Sequence, residues 1–220
     1  MTETIESKKA VNLSAILREY WPPIVAFLVL LVVLPLTTPG VNYPHEPTKL
    51  EVAAHYLGHI INSVWVGVGL LLLVIPSLAA LKKGKHDDWA WYALDAIALD
   101  FLFLDALCRR FIPWPRPNHP DLPGFPSGHA TFAFLMAWMI WRRFPKLGPA
   151  WFAMATTIGW SRYQVAAHFP YQIIVGAILG CTLGALVVES PAGILLPRVL
   201  LPPSILMKRL QKASMARAAR

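Results

Sequence analysis

Six apolar stretches joined by short charged connectors constrain this chain more than any other feature; they cover residues 23–38, 52–81, 89–108, 128–141, 147–160 and 171–188. A helix that crosses a bilayer needs ~20 apolar residues, so each stretch reads as a membrane helix or a slightly short one. Composition agrees: 56% of the 220 residues are hydrophobic and 15% charged, and the mean hydropathy is +0.50, too apolar for an ordinary soluble domain. The expected fold class is therefore all-α: a polytopic membrane protein of six transmembrane helices. Three regions are expected: an interfacial N-terminus (1–22), a six-helix membrane domain (23–189) and a basic interfacial tail (190–220). The first stretch has no small-x-small cleavage site after it and is kept as an anchor helix.

The net charge of +8 does not point to nucleic acid, because the basic residues sit in clusters between apolar stretches, where they orient a chain against a membrane. Alternate connectors fall on alternate faces. One face collects fifteen Lys and Arg, among them Lys82, Lys83, Lys85, Arg142, Arg143 and Lys146; the other has Lys49, Arg109, Arg110, Arg116 and Arg162. Both termini are expected in the cytoplasm, with the connectors after the first, third and fifth helices on the outer, periplasmic face of a plasma or bacterial inner membrane. Cys108 and Cys181 form neither a disulfide framework nor a metal pattern.

Two connectors of the outer face hold the chemistry. The third reads Arg109-Arg110-Phe-Ile-Pro-Trp-Pro-Arg116-Pro117 and ends Phe125-Pro126-Ser127-Gly128-His129; the fifth runs from Ser161-Arg162 to His168-Phe169-Pro170-Tyr171-Gln172. Guanidinium groups match phosphate oxygens with paired planar hydrogen bonds. The amide of Gly128 at a helix start adds an anion site. Three arginines with such a terminus suit the spread charge of a transferring phosphoryl group, so no divalent metal or other cofactor is expected. Two histidines in one anion site suggest a nucleophile and a proton donor; the residues alone do not say which is which.

These three pieces resemble the signature of the type 2 phosphatidic acid phosphatase superfamily, which includes vanadium haloperoxidases and glucose-6-phosphatase. Arg109 with Arg116-Pro117 is similar to its first piece, with Arg where Lys is usual; Pro126 to His129 is similar to the second; Ser161, Arg162 and His168 are similar to the third. The signature spans 109–172. The resemblance implies that His168 is the nucleophile and His129 the general acid and base, and that Arg109, Arg116, Arg162, Ser127 and Gly128 hold phosphate. At Gln172 most members carry Asp; a carboxylate would favour the imidazolium, whereas an amide oxygen fixes only the tautomer. Gln at that place resembles the glucose-6-phosphatase branch. The implied reaction is hydrolysis of a lipid phosphate or diphosphate, such as polyprenyl diphosphate, phosphatidic acid or phosphatidylglycerol phosphate, with membrane lipids as the other contacts and no protein partner. Competing readings are a phosphotransferase of the same superfamily, a non-catalytic phospholipid-binding relative and, more remotely, a vanadate-dependent oxidase.

Other polar groups lie within the apolar stretches. Asp105 stands four residues before Arg109 and is expected to pair with it, steering the guanidinium towards phosphate. Asp95, Asp100 and Asp105 do not form one narrow stripe along the helix. His55 and His59, also four apart, have no third metal ligand in view and are assigned to helix packing or interfacial hydrogen bonding.

Overall fold

The computed structural model describes residues 13–36, 47–85 and 87–189, and every regular element among them is helical. The short helix α1 (Leu13–Glu19) leads into α2 (Trp21–Leu36). The rod α3 (Lys49–Lys82) is continuous over 34 residues. It starts in a capping box: Thr48 Oγ1 accepts from the Glu51 amide at 3.2 Å, and the Glu51 carboxylate accepts from the Thr48 amide at 2.7 Å. One turn of it, Leu57–Ile61, is π-helical. The next rod, α4, comprises Trp89–Phe101, a π-helical segment Leu102–Cys108 and the final turn Arg109–Phe111. Then come α5 (Gly128–Arg143), α6 (Gly148–Gln164) and α7 (Pro170–Glu189).

Each expected apolar stretch is thus helical over its described residues. Among the described residues, two helices have the length and apolarity to cross a membrane, α3 and α7. The others are shorter or carry more charge: α2 has 16 residues and α5 has 16, and α4 contains Asp95, Asp100 and Asp105. Residues 1–12, most of the connector after α2 and the tail from 190 onward, with the regions assigned there, lie outside the described residues.

The bundle is built around α5. Every residue from Ala133 to Trp141 is buried, although α5 ends in Arg142 and Arg143, because α7 and α6 flank it closely and α3 and α4 complete the ring. Contact with α7 is backbone to backbone. A β-carbon at Gly180 would lie 2.1 Å from the carbonyl oxygen of Thr131, and one at Gly176 would lie 2.7 Å from that of Ser127. Elsewhere aromatic rings fill the seams: Trp65 of α3 lies 4.5 Å from Trp151 of α6, and Phe27 of α2 lies 5.6 Å from Phe134 of α5. The outward faces are apolar, with Leu28, Leu31, Val32, Val64, Leu71 and Ile75 all exposed. Such a surface is stable against lipid, not water.

Basic residues sort by end, as the charge count implies. At the C-terminal end of α5, Arg143 reaches the Asp87 carboxylate at 2.6 Å, which also accepts from Ser77 at 2.8 Å. Burial alone would raise the Asp87 carboxyl, but the bonds from Ser77, Arg143 and the Trp89 amide outweigh it and hold the group below its usual value. Arg142 pairs with Glu189 at 3.1 Å, and Glu189 in turn accepts from the Trp138 indole at 3.0 Å. The opposite end of α5, about 24 Å away at 1.5 Å per residue, holds Arg109, Arg116 and Arg162 with both motif histidines.

Candidate active site

The site is assembled where the N-terminus of α5 meets the start of α7. The Ser127 amide donates to the Gln172 carbonyl at 3.0 Å, while the Ser127 carbonyl accepts from the Thr131 amide at 2.9 Å and hydroxyl at 3.0 Å. These bonds fix Ser127 as the N-cap residue of α5, yet its hydroxyl caps nothing. Ser127 Oγ is fully buried and has no hydrogen-bond partner. A buried hydroxyl left in that state costs on the order of 1–3 kcal/mol, a cost that a bound oxyanion would remove.

Gly128 leaves room above the helix terminus. A β-carbon there would sit 3.2 Å from Nη2 of Arg109. Arg109 is held by an ion pair with Asp105, one turn earlier, so the expected partnership is present. Arg116 comes from the connector, where its Nε donates to the Pro123 carbonyl at 3.1 Å and its stem crosses Gly124, at which a β-carbon would meet Cγ at 2.7 Å. Burial, then the neighbouring Arg109, lowers the pKa of Arg116 from its ordinary value.

The two motif connectors are stitched together. Asn118 donates its backbone amide to the Ala166 carbonyl at 3.1 Å and its side-chain amide to the Val165 carbonyl at 3.3 Å. Ala166 takes a left-handed conformation (φ 49°), unusual for a residue with a β-carbon. It turns the chain back so that the amides of Ala167 and His168 both bond the Arg162 carbonyl, at 3.0 and 3.3 Å.

His168 lies buried beneath this turn. Its Nδ1 faces the Gly124 carbonyl at 2.9 Å and Gln172 Oε1 at 3.2 Å. The carbonyl can only accept, so Nδ1 carries the hydrogen. The Gln172 amide cannot be turned the other way: its oxygen accepts from the Phe169 amide at 3.1 Å and its nitrogen donates to the Pro115 carbonyl at 2.9 Å. Both main-chain partners have fixed roles. The Nε2 lone pair of His168 is therefore left available. Burial, and then Arg116, push the imidazole down to about 4; the bonds to Gln172 and Gly124 resist that fall, and Arg162 adds to it.

Arg162 is one of the largest buried side chains in the molecule. Its Nε donates to Ser161 Oγ at 3.3 Å, and its Nη2 donates to the Ala54 carbonyl at 3.1 Å. Its Nη1 lies 3.2 Å from His59 Nε2. The His59 ring stands edge-on to that of His129, with centroids 5.2 Å apart, and His129 is within electrostatic reach of Arg162, His168 and Arg116. All the motif residues thus converge at one end of the bundle.

His59, expected in helix packing or interfacial hydrogen bonding, faces this group; its partners come from residues 103 and 70 positions downstream, beyond any local pattern. A signal existed, since polar side chains within an apolar helix are costly enough to raise suspicion of function. His55 lies 4.6 Å from His59, ring to ring, and no cluster of three or more metal-ligating side chains is found among the described residues. Asp95 is buried on α4, and the Oδ1 of Asp100 is buried without a hydrogen-bond partner.

Comparison with known proteins places this site in a class. Residues 103–193 match the family model described as PAP2 superfamily. The decaprenylphosphoryl-5-phosphoribose phosphatase of Mycobacterium tuberculosis is 29% identical over 135 residues, covering 57% of this chain and 73% of that protein. The lipid A 1-phosphatase of Rhizobium johnstonii is 34% identical over 141 residues, covering 60% and 50%. The lipid A 4'-phosphatase of Bacteroides thetaiotaomicron is 28% identical over 161 residues, covering 63% and 68%. A crystal structure of a PAP2-type phosphatidylglycerolphosphate phosphatase from Bacillus subtilis aligns with a TM-score of 0.43 at 22% identity, over 76% of this chain and 94% of that one. The segment that carries the site is thus the part of the chain that is similar to the PAP2 superfamily.

Proposed function

We propose that this chain is an integral membrane phosphatase that hydrolyses a lipid phosphate monoester or diphosphate through a phosphohistidine on His168. The observation that carries the proposal is the locked orientation of His168. With the Nδ1 hydrogen held by Gly124 and Gln172, Nε2 offers its lone pair, and the low pKa of about 4 keeps it unprotonated at neutral pH. Nε2 attacks phosphorus as the bond to the leaving oxygen breaks, and His129, held as the imidazolium by the negative charge of the bound phosphate, delivers its proton to that oxygen. His129 then takes a proton from water as water attacks the phosphohistidine, releasing inorganic phosphate and restoring His168. Arg109, Arg116 and Arg162, with the Ser127 hydroxyl and the Gly128 amide, balance the charge on the phosphoryl oxygens throughout.

A lipid substrate fits the surroundings. Trp114, Phe125, Phe169 and Tyr171 form a contiguous aromatic cluster beside the His168 turn, with Trp114 4.7 Å from Phe125 and Phe169 stacked 5.7 Å from Tyr171. Trp114, Phe169 and Tyr171 are exposed, as are Phe111 and Leu122 nearby in sequence. Rings of this kind favour the headgroup level of a bilayer. The matched relatives bear names of lipid-linked phosphatases. In this reading the apolar rods cross the membrane, the end bearing Arg142 and Arg143 faces the cytoplasm, and the site faces outward.

The test is phosphate release by purified protein in detergent, with EDTA present, from polyprenyl diphosphate, phosphatidic acid, phosphatidylglycerol phosphate and glucose 6-phosphate. Release from a lipid substrate that disappears in His168→Ala is the expected result. Release undiminished in that variant would remove His168 as nucleophile.

A further inference from the structure

Arg162 of α6 draws only one side-chain bond from its own motif, Nε to Ser161 Oγ at 3.3 Å. Its main support comes from α3, a helix that precedes the family segment at 103–193. Nη2 of Arg162 bonds the Ala54 carbonyl at 3.1 Å, and Nη1 meets His59 Nε2 at 3.2 Å. Between those two residues lies Gly58, where a β-carbon would fall 1.5 Å from Nη2 and 1.9 Å from the guanidinium carbon. The guanidinium therefore lies directly on the bare backbone of α3, at the π-helical turn Leu57–Ile61. A π-turn displaces the following side chains relative to regular helix, and such turns occur often at functional sites.

We propose that Ala54, Gly58 and His59 form a socket that positions Arg162 for the phosphoryl oxygens, with His59 as a positioning residue; the inference rests on the phosphatase reading. Arg162 can only donate, so the His59 nitrogen facing it is the unprotonated one. Of the five N–H groups of the guanidinium, the socket and Ser161 engage three, leaving one on each terminal nitrogen for a phosphate. The same His59 ring abuts His129, so the socket also sets where the proton donor stands. Without it the long side chain would have to give up rotamer freedom each time substrate binds.

Equilibrium dialysis of orthovanadate against the full chain in detergent tests this without requiring turnover. His59→Phe keeps a ring but removes the acceptor; Gly58→Ala displaces only the far end of a flexible side chain, so the helix tolerates it. Each is expected to weaken vanadate binding about tenfold, the scale of one lost hydrogen bond to a charged group. His59→Gln, which restores an acceptor oxygen, is expected to stay within a few-fold of the wild type. Combining either weakened variant with Arg162→Lys should add little. In turnover assays the loss appears in KM and kcat alike. Wild-type vanadate affinity in both His59→Phe and Gly58→Ala would overturn the socket, whereas a wild type that binds no vanadate would overturn the phosphate-site reading itself.

Discussion

Replacing Gln172 by Asp moves a negative charge to the one place where His168 is sensitive to it. In the wild type the amide oxygen lies 3.2 Å from Nδ1 and contributes a dipole only, and the imidazole stays near 4. An Asp carboxylate, one methylene shorter, would hold its charge about 4–5 Å from the ring. At an effective dielectric of about 20 that is worth roughly 3–4 kcal/mol in favour of the imidazolium. Burying the carboxylate and losing the bond to the Pro115 carbonyl takes back about half. The net rise is about 1–2 pH units. The sign follows directly: a protonated His168 cannot attack, so the acid limb of kcat/KM shifts upward, from near 4 towards 5–6. The assay is kcat/KM for phosphate release between pH 3.5 and 8, taken as the ratio of variant to wild type so that titration of the substrate cancels. The expected ratio falls as pH drops below about 6 and is constant above 7. A ratio that stays flat through the acid range, or a limb that moves down, would refute the account of Gln172 as an uncharged orienting group.

The other expectations are separate. Ser127→Ala removes a buried hydroxyl that has no partner, so thermal stability in detergent should hold or rise by up to ~1 kcal/mol, while KM for the lipid phosphate increases about 5- to 10-fold; a clear loss of stability would mean that the hydroxyl is already satisfied within the protein. His129→Asn should lower turnover of an alkyl lipid phosphate about 10²- to 10⁴-fold while an aryl phosphate, whose leaving group needs no proton, still phosphorylates His168; a trapped acid-labile phosphoenzyme checks this, and equal loss on both substrates would take the proton transfer away from His129. Gly180→Ala forces α5 and α7 apart and should cost about 1–3 kcal/mol, read as a lower thermal unfolding midpoint; an unchanged midpoint would show the seam to be looser than described.

The rods and the motif residues were legible in the sequence because both depend on short-range pattern. Apolar runs produced each helix, and Arg109, Arg116, Ser127, His129, Arg162 and His168 stand in fixed spacings on two connectors. The pairing of Asp105 with Arg109 was legible for the same reason, being one helical turn. Helix ends were less so: α3 starts at its Thr48 capping box, before the apolar run at 52, and the breaks in α4 are π-turns that composition does not mark. His59 stood out only as a polar side chain in an apolar helix; its position beside Arg162, far downstream and on another helix, was not legible, and Gly58 reads as an ordinary helix glycine until the guanidinium lying across it is seen. The tautomer of His168 likewise required the Gly124 carbonyl, which a loop of no regular pattern delivers.

The glycine seam between α5 and α7 has one more implication. Where backbone touches backbone there is no side chain to lengthen or shorten, so the spacing between the helix that begins at Gly128 and the one that carries Gln172 has no adjustable part. Substitutions that reshape the surroundings of the site have room elsewhere, in the connector at 112–126 and among the aromatic rings around Tyr171. The molecule divides into a chassis of fixed gauge, where α5 meets α7, and a more open rim around it.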